Sequence, residues 1–188
     1  MKSLNELFRL IILANEDSND INVALRFSNA GGNSGYSFGV SQMDVSHSGN
    51  AVTCLKECGF TDDEISALQA KTVDRHQFTS RLQASAGIIA KWDETQLSQC
   101  LDKALNFVTG HGVPVESPGG ILAGADYCNQ YGSEGNGAVV YYKALGRPVT
   151  AEDVLAFKLD HTAYGKAQPG DCKRRYDNIV AILAKEGM

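Results

Sequence analysis

The stretch SGYSFGVSQMDVSHSG, residues 34–49, combines glycines, small hydroxyl side chains, two aromatic rings, a glutamine and an aspartate. A plain buried strand would carry valine and isoleucine at many of these positions. Glycine in a strand allows another chain to approach the backbone closely. We therefore predict a hairpin strand over Tyr36–Met43, with Phe38, Val40 and Met43 packed on helices and the polar side chains facing a groove.

The composition is that of a globular protein. The chain has 188 residues, of which 43% are hydrophobic and 21% are charged, and this length fits one domain. The net charge is −5 and the pI is about 5.3. Because nucleic-acid-binding proteins usually carry a basic patch, this charge argues against a nucleic acid partner. We predict a single domain over residues 1–188.

The N-terminal sequence MKSLNELFRLIILANED does not have the pattern of a signal peptide. Its apolar run, Leu10–Leu13, is short and acidic residues flank it. No run of the chain approaches the length of a membrane-spanning helix. We expect a protein that is made in the cytoplasm without a signal peptide and does not insert stably into a membrane.

The five cysteines do not form a metal-binding pattern. Cys54 and Cys58 are four residues apart, but no second pair with ligand spacing follows them. The remaining three are Cys100, Cys128 and Cys172. We expect reduced and mostly buried thiols, no metal site and no cofactor.

The N-terminal third is predicted to contain a helix and then a hairpin. Ser3–Asn15 has a helical apolar stripe and a capping pattern at its start, and turn-forming residues follow Glu16. Ile21–Phe27 alternates enough to be a strand. Ser28–Ser34 is predicted to be the hairpin turn, in which Gly31 and Gly32 supply positive φ angles.

The rest of the chain is predicted to be helical, which gives an α+β fold that is mostly helical with one small N-terminal β-hairpin. Capping residues precede several of these helices, and Thr150 begins a capping box. The predicted helices are Asn50–Cys58, Asp62–Ala70, Asp74–Lys91, Glu94–Val108, Pro118–Gln130, Ala138–Leu145, Thr150–Tyr164 and Gly170–Lys185.

Two carboxyl groups are the strongest candidates for catalysis. Glu16 follows an apolar helix, where partial desolvation favours a protonated carboxyl that can act as a general acid. Asp44 follows the predicted strand, and a hairpin can bring it back across a cleft from Glu16. Two carboxyl groups facing each other across a groove are the minimal set for glycosidic bond cleavage. The alternatives are a solvated carboxylate at Glu16 and a helix cap at Asp44.

These residues resemble a motif of the goose-type lysozymes and lytic transglycosylases, a branch of the lysozyme-like superfamily. That branch places a catalytic glutamate at the end of a helix, followed by a hairpin with the pattern Gly-hydrophobic-x-Gln-hydrophobic. Here Glu16 ends the helix, and the hairpin contains Gly39, Val40, Ser41, Gln42 and Met43. Asp44 stands where goose-type lysozymes also have an aspartate.

The resemblance covers residues 5 to 132 and implies a lysozyme-like fold and a sugar-binding cleft. A later aromatic and asparagine pair lines the cleft in that branch, and here LAGADYCNQYG offers Tyr127 and Asn129, with Cys128 between them. Goose-type lysozymes carry a further aspartate before the hairpin. The nearest acids here are Asp17 and Asp20.

The resemblance implies that the chain is a muramidase that cleaves the MurNAc–GlcNAc β-1,4 bond of peptidoglycan. Glu16 would be the general acid and Asp44 the second carboxylate, with no metal and no cofactor. The predicted substrate-binding residues are Tyr36, Ser37, Ser41, Gln42, Tyr127 and Asn129.

Three alternatives remain open at this point. In a lytic transglycosylase, one glutamate acts as acid and then as base, and the muramic acid 6-hydroxyl closes a 1,6-anhydro ring. A chitinase or chitosanase would use the same scaffold, and an acidic chain suits a cationic polymer. A non-catalytic cell-wall-binding protein would keep the fold without the chemistry.

The expected partners are peptidoglycan glycan strands and an immunity or inhibitor protein that plugs the cleft. Because no signal peptide is recognised, the chain would reach the periplasm or cell wall by another route. Release through a holin, as for a phage endolysin, is one route. Delivery by a secretion machine, as for an antibacterial effector, is the other.

Overall fold

The computed structural model describes residues 2–29, 34–132 and 135–188, and it is mostly helical with a small antiparallel sheet. This confirms the predicted α+β class. The strands β1 (Ser28–Asn29), β2 (Tyr36–Phe38) and β3 (Met43–Asp44) pair in the order β1-β2-β3. The α-helices are α1 (Leu4–Asp17), α2 (Ile21–Ala24), α3 (Gly49–Glu57), α4 (Asp62–Gln69), α5 (Thr79–Ala84), α6 (Ala86–Gly110), α7 (Pro118–Tyr131), α8 (Gly135–Ala144), α9 (Ala151–His161), α10 (Ala163–Ala167) and α11 (Pro169–Lys185).

The chain divides into two compact units, and the boundaries between them fall within α1 and α6. One unit contains residues 12–96 and the other contains residues 1–11 and 97–188. The prediction of a single catalytic domain stays a prediction. Among the described residues, no helix combines the length and the apolar character that crossing a membrane requires.

An aromatic cluster forms the core of the unit of residues 12–96. The ring of Phe27 lies 5.4 Å from Phe38, 6.1 Å from Phe60 and 6.4 Å from Phe78, measured between centroids. Tyr36 and Phe38 belong to this core. Because side chains alternate between the two faces of a strand, Ser37 lies on the other face of the sheet. The sheet therefore has one apolar face on the core.

The second unit packs α7, α9 and α11 on one another and buries a charged cluster among them. Asp126 on α7 accepts hydrogen bonds from Arg175 on α11, from Nε at 3.0 Å and from Nη2 at 2.5 Å. Lys158 Nζ on α9 lies 3.6 Å from the same carboxylate and donates to Gln130 at 2.6 Å. The three charged side chains are each at most 4% exposed.

Several predicted helix starts are confirmed by their capping hydrogen bonds. At α1, Ser3 N donates to Glu6 and Glu6 N donates back to Ser3 Oγ. Capping boxes at Thr61 and Thr150 begin α4 and α9. Helix α1 ends at Asp17, as its turn-forming sequence indicates, because the next two residues have φ angles of 53° and 64°.

The prediction of a strand over Ile21–Phe27 is wrong. Ile21–Ala24 is helix α2, and Asp20 is its N-cap. The Asp20 carboxylate accepts hydrogen bonds from the backbone N and the Nδ2 of Asn22, both at 2.9 Å. This capping favours a helical turn over an extended chain.

The prediction of one strand over Tyr36–Met43 is also wrong. Strands β2 and β3 are antiparallel neighbours, with Phe38 opposite Met43, and a turn over residues 39–42 joins them. The predicted turn before β2 contains Gly31 and Gly32, which lie outside the described residues. The antiparallel pairing of β1 with β2 nevertheless confirms a hairpin at this place.

Residues 74–108 differ from the two predicted helices in their boundaries. The first predicted helix, Asp74–Lys91, is divided into a 3-10 helix at Arg75–Phe78, then α5, then the start of α6. The second, Glu94–Val108, lies entirely within α6. Ser85 interrupts the helical path as the C-cap of α5.

Candidate active site

The turn that joins β2 to β3 carries an unusual backbone conformation. Gln42 has a φ of 52°, in the left-handed region that residues other than glycine adopt rarely. Such a conformation costs about 1–3 kcal/mol and persists where the surroundings impose it. The turn is closed by a hydrogen bond from Gln42 N to Gly39 O at 3.1 Å.

The Gln42 side chain is held by three partners. Its Nε2 donates to Asp17 Oδ1 and to Gly39 O, each at 3.1 Å. Its Oε1 accepts from Ser28 Oγ at 2.7 Å. Gln42 thus joins the end of α1, the turn and strand β1.

The Asp93 side chain on α6 holds the same turn by accepting hydrogen bonds from the backbone of the turn. The N–H groups of Val40 and Ser41 donate to its carboxylate, both at 2.9 Å, and Ser41 Oγ donates at 2.7 Å. Asp93 is 1% exposed. A Cβ on Gly39 would lie 2.6 Å from Asp93 Oδ1, so only glycine allows this approach.

Asp17 supplies the hydrogen bond from α1, and its carboxyl group is buried. The residue is 1% exposed, and its Oδ2 has no hydrogen-bond partner among the residues that the structure describes. Burial, followed by the charges of Glu16 and Asp93, raises the pKa of Asp17 to about 7, although the Gln42 hydrogen bond opposes this shift. Asp17 is therefore about half protonated near neutral pH.

Glu16 precedes Asp17 in the last turn of α1 and is half-buried. Its charge acts on the Asp17 carboxyl, so the two acids form one electrostatic group. This places the predicted general acid next to the residue that contacts the Gly39–Gln42 turn.

Asp44 on β3 is tied to the hairpin itself. Gly35 N lies 3.1 Å from each of its carboxylate oxygens, Ser46 N donates to Oδ1 at 2.7 Å, and His47 Nδ1 lies 3.3 Å from Oδ2. The alternative in which Asp44 caps the next helix is wrong, because α3 begins at Gly49 with Ser48 as its N-cap.

The other predicted site residues of this unit are engaged within the fold. Tyr36 is 7% exposed, and its hydroxyl donates to Val73 O at 3.4 Å. Ser37 is buried and lies opposite Asp44 in the sheet. Ser41 is buried with its hydroxyl on Asp93. Substrate binding by these residues stays a prediction.

Tyr127 and Asn129 belong to the other compact unit, on α7. The ring of Tyr127 lies 4.8 Å from that of Tyr131, and Asn129 Oδ1 accepts a weak hydrogen bond from Cys100 Sγ at 3.8 Å. Within the unit of residues 12–96, the structure brings Asp17 and Asp93 to the hairpin turn, and Glu16 precedes Asp17 in α1. The cleft-lining role of Tyr127 and Asn129 stays a prediction.

Asp93 was not predicted from the sequence as a site residue, and the role of Asp17 was left open. Asp93 lies inside a long helix, in KWDETQ, with no motif around it. Asp17 stands in an acidic, turn-forming stretch that resembles an ordinary solvated helix end. The available signal was Gly39, because a glycine before a polar turn indicates that another group approaches the backbone.

We compared the chain with models of known families, with curated proteins and with solved structures, and no match was found. Among the described residues, no group of three or more histidine, cysteine, aspartate or glutamate side chains is arranged to hold a metal ion.

Proposed function

We propose that this chain cleaves the glycan strands of peptidoglycan as a muramidase of lysozyme-like fold, with Glu16 as the general acid. The observation that supports this most directly is the hydrogen bond between Gln42 and Asp17. It joins the hairpin motif to the end of α1, so the motif glutamine and the proposed acid belong to one local structure. A glutamate at a helix end beside a glycine-rich hairpin is the arrangement that the resemblance implies.

The chemistry assigns a role to each carboxyl group. Glu16 donates a proton to the glycosidic oxygen while the bond to the sugar C1 breaks. Asp44 activates the water that attacks C1 or stabilises the cationic transition state. Its contacts with Gly35 N and Ser46 N keep its carboxylate in a fixed orientation.

Replacing the general acid tests the proposal. The variant Glu16→Gln keeps the shape of the side chain but cannot donate the proton, so turnover of purified sacculi should fall by about 10²–10⁴-fold. The matched control is Glu57→Gln, the same change at an exposed position of α3, which should keep full activity. Circular dichroism should show the same fold in both. Near-full activity of Glu16→Gln would refute the proposed function.

A lytic transglycosylase is the second candidate, and the contacts of Asp44 favour it. Both oxygens of that carboxylate are engaged by hairpin groups, and a one-glutamate mechanism does not need Asp44 to activate water. Mass spectrometry of the products separates the candidates. Reducing ends indicate hydrolysis, and 1,6-anhydro products indicate transglycosylation. Asp44→Asn should abolish hydrolysis but leave a transglycosylase active.

The same assays address the remaining alternatives. Turnover of chitosan in preference to sacculi would indicate a chitosanase. A tight complex with sacculi and no cleavage products would indicate a cell-wall-binding protein. The first result would contradict the proposed substrate, and the second would contradict the proposed chemistry. Both assays need only the wild-type chain.

A further inference from the structure

Asp17 differs from the other two partners of Gln42 in its place in the chain. Ser28 and Gly39 belong to the hairpin, whereas Asp17 belongs to α1. Loss of the Asp17 contact would leave the hairpin bonds of Gln42 intact but would remove its tie to the helix that carries Glu16. Gln42 also holds a left-handed backbone conformation, which requires support from such contacts.

The surroundings of Asp17 favour its neutral form. Its Oδ2 is buried and receives no hydrogen bond from the described part of the chain. The charges that act most strongly on it are all negative, namely Glu16 on the same helix, Asp93 on α6 and Asp20 before α2. The amide of Gln42 favours the ionised form, but it is a single neutral donor against burial and three acids.

We infer that Asp17 is a positioning residue of the proposed active site, whose neutral carboxyl holds Gln42, and with it the Gly39–Gln42 turn, against the end of α1 beside Glu16. When Asp17 ionises, the charge is stabilised only if water reaches Oδ2, and this requires the turn to separate from the helix. The kinetic part of this inference rests on the proposed function. The structural part does not.

The sign of the pH dependence follows from the raised pKa. Below about pH 4, both the folded and the unfolded chain hold the Asp17 proton, and its contribution to stability is fully present. Between about pH 4 and 7, the folded chain retains a proton that the unfolded chain has lost. Stability from this group therefore declines as the pH rises through this window and is level above it.

The first experiment measures the melting temperature from pH 4 to 8 for the wild type and for Asp17→Asn. Asparagine is isosteric with the protonated acid and keeps the acceptor for Gln42. We expect the wild type to lose about 5 °C more than Asp17→Asn as the pH rises. The control is Asp102→Asn, the same change at an exposed position of α6 whose charge is not among those that act on Asp17, and it should follow the wild type. Parallel curves for the wild type and Asp17→Asn would overturn the inference.

The second experiment separates positioning from stability. Gln42→Gly removes the side chain that Asp17 holds, while glycine adopts the left-handed backbone without strain. We expect kcat on sacculi to fall by about tenfold or more, with a melting temperature within a few degrees of the wild type. In the wild type, we expect kcat to decline as the pH rises through about 7. In Asp17→Asn, we expect kcat to show no such decline. A Gln42→Gly variant with unchanged kcat would exclude the positioning role.

The two readouts distinguish this inference from the proposed function. If the wild type cleaves no glycan, the proposed function fails, and the melting curves still decide whether Asp17 holds the turn. If glycan is cleaved but the melting curves of Asp17→Asn and wild type are parallel, the inference fails and the proposed function stands.

Discussion

Asp17 in the unit of residues 12–96 and Asp126 in the other unit are each 1% exposed, yet their surroundings are opposite. Asp126 receives two hydrogen bonds from Arg175 and has Lys158 Nζ at 3.6 Å. Asp17 receives one hydrogen bond from the Gln42 amide and has three acids around it. Burial alone therefore does not define the role of an acid.

The difference separates a structural group from a candidate functional one. A buried carboxylate with two cations is compensated, and it fixes three helices relative to one another. A buried carboxyl with an unpartnered oxygen is retained at a cost to stability, as is typical of active sites. The strained Gln42 lies beside Asp17, which adds a second unfavourable feature at the same place.

The largest predicted effect concerns the compensated acid. Asp126→Asn would remove the buried carboxylate charge that Arg175 and Lys158 share, so the free energy of unfolding should fall by about 3–5 kcal/mol. Urea unfolding at pH 7, followed by circular dichroism, measures this loss. Asp102→Asn, the same change at an exposed position of α6, is the control and should change the free energy by less than about 0.5 kcal/mol. A loss below about 1 kcal/mol in Asp126→Asn would mean that the cluster is not a stabilising unit.

The next effect tests how closely Asp93 approaches the turn. Gly39→Ala introduces a Cβ that would lie 2.6 Å from Asp93 Oδ1, at a φ of +79°. We expect the free energy of unfolding to fall by about 2–4 kcal/mol, because both the backbone conformation and the carboxylate must adjust.

Gly59→Ala is the matched control for this change. Gly59 has nearly the same φ, +80°, but its added Cβ would meet no atom within 4 Å. Its cost should be about 1 kcal/mol, which reports the backbone conformation alone. If the two variants lose equal stability, Asp93 does not constrain the turn in the way that the structure indicates.

The parts of the fold that follow from local interactions were predicted from the sequence. The helix starts at Ser3, Thr61 and Thr150 were recognised because a cap and its partner are three residues apart. Pro118 begins α7, because the fixed backbone angle of proline suits the first turn of a helix. Both partners of each contact lie within one helical turn, so the contact can be predicted from the local sequence.

The parts that depend on distant residues were not predicted. The turn over residues 39–42 interrupts a stretch that resembles one strand. Asp17, which lies 25 residues from Gln42, and Asp93, which lies 52 residues from Ser41, hold this turn. Nothing near Asp93 indicates this contact. The raised pKa of Asp17 was not expected either, because its largest cause is burial by distant parts of the chain, followed by the charges of Glu16 and of Asp93 on α6.

The smallest predicted effect extends the comparison of the two units to their thiols. In the unit of residues 12–96, hydrogen bonds with Cys54 and then with Ser85 lower the pKa of Cys58, against the opposing effect of burial. In the other unit, burial raises the pKa of Cys100 and of Cys172. Since the thiolate is the reactive form, Cys58 should react first with iodoacetamide.

Alkylation of the folded chain at pH 7, followed by peptide mass spectrometry, measures this order. We expect the labelling rate of Cys58 to exceed that of Cys100 by about tenfold, and to level off at a lower pH than that of Cys100, because the pKa of Cys58 is lowered and that of Cys100 is raised. Cys58→Ser should remove the fast phase and leave the slow ones unchanged. Equal rates at Cys58 and Cys100 would show that access, rather than the hydrogen bonds from Cys54 and Ser85, controls thiol reactivity in this protein.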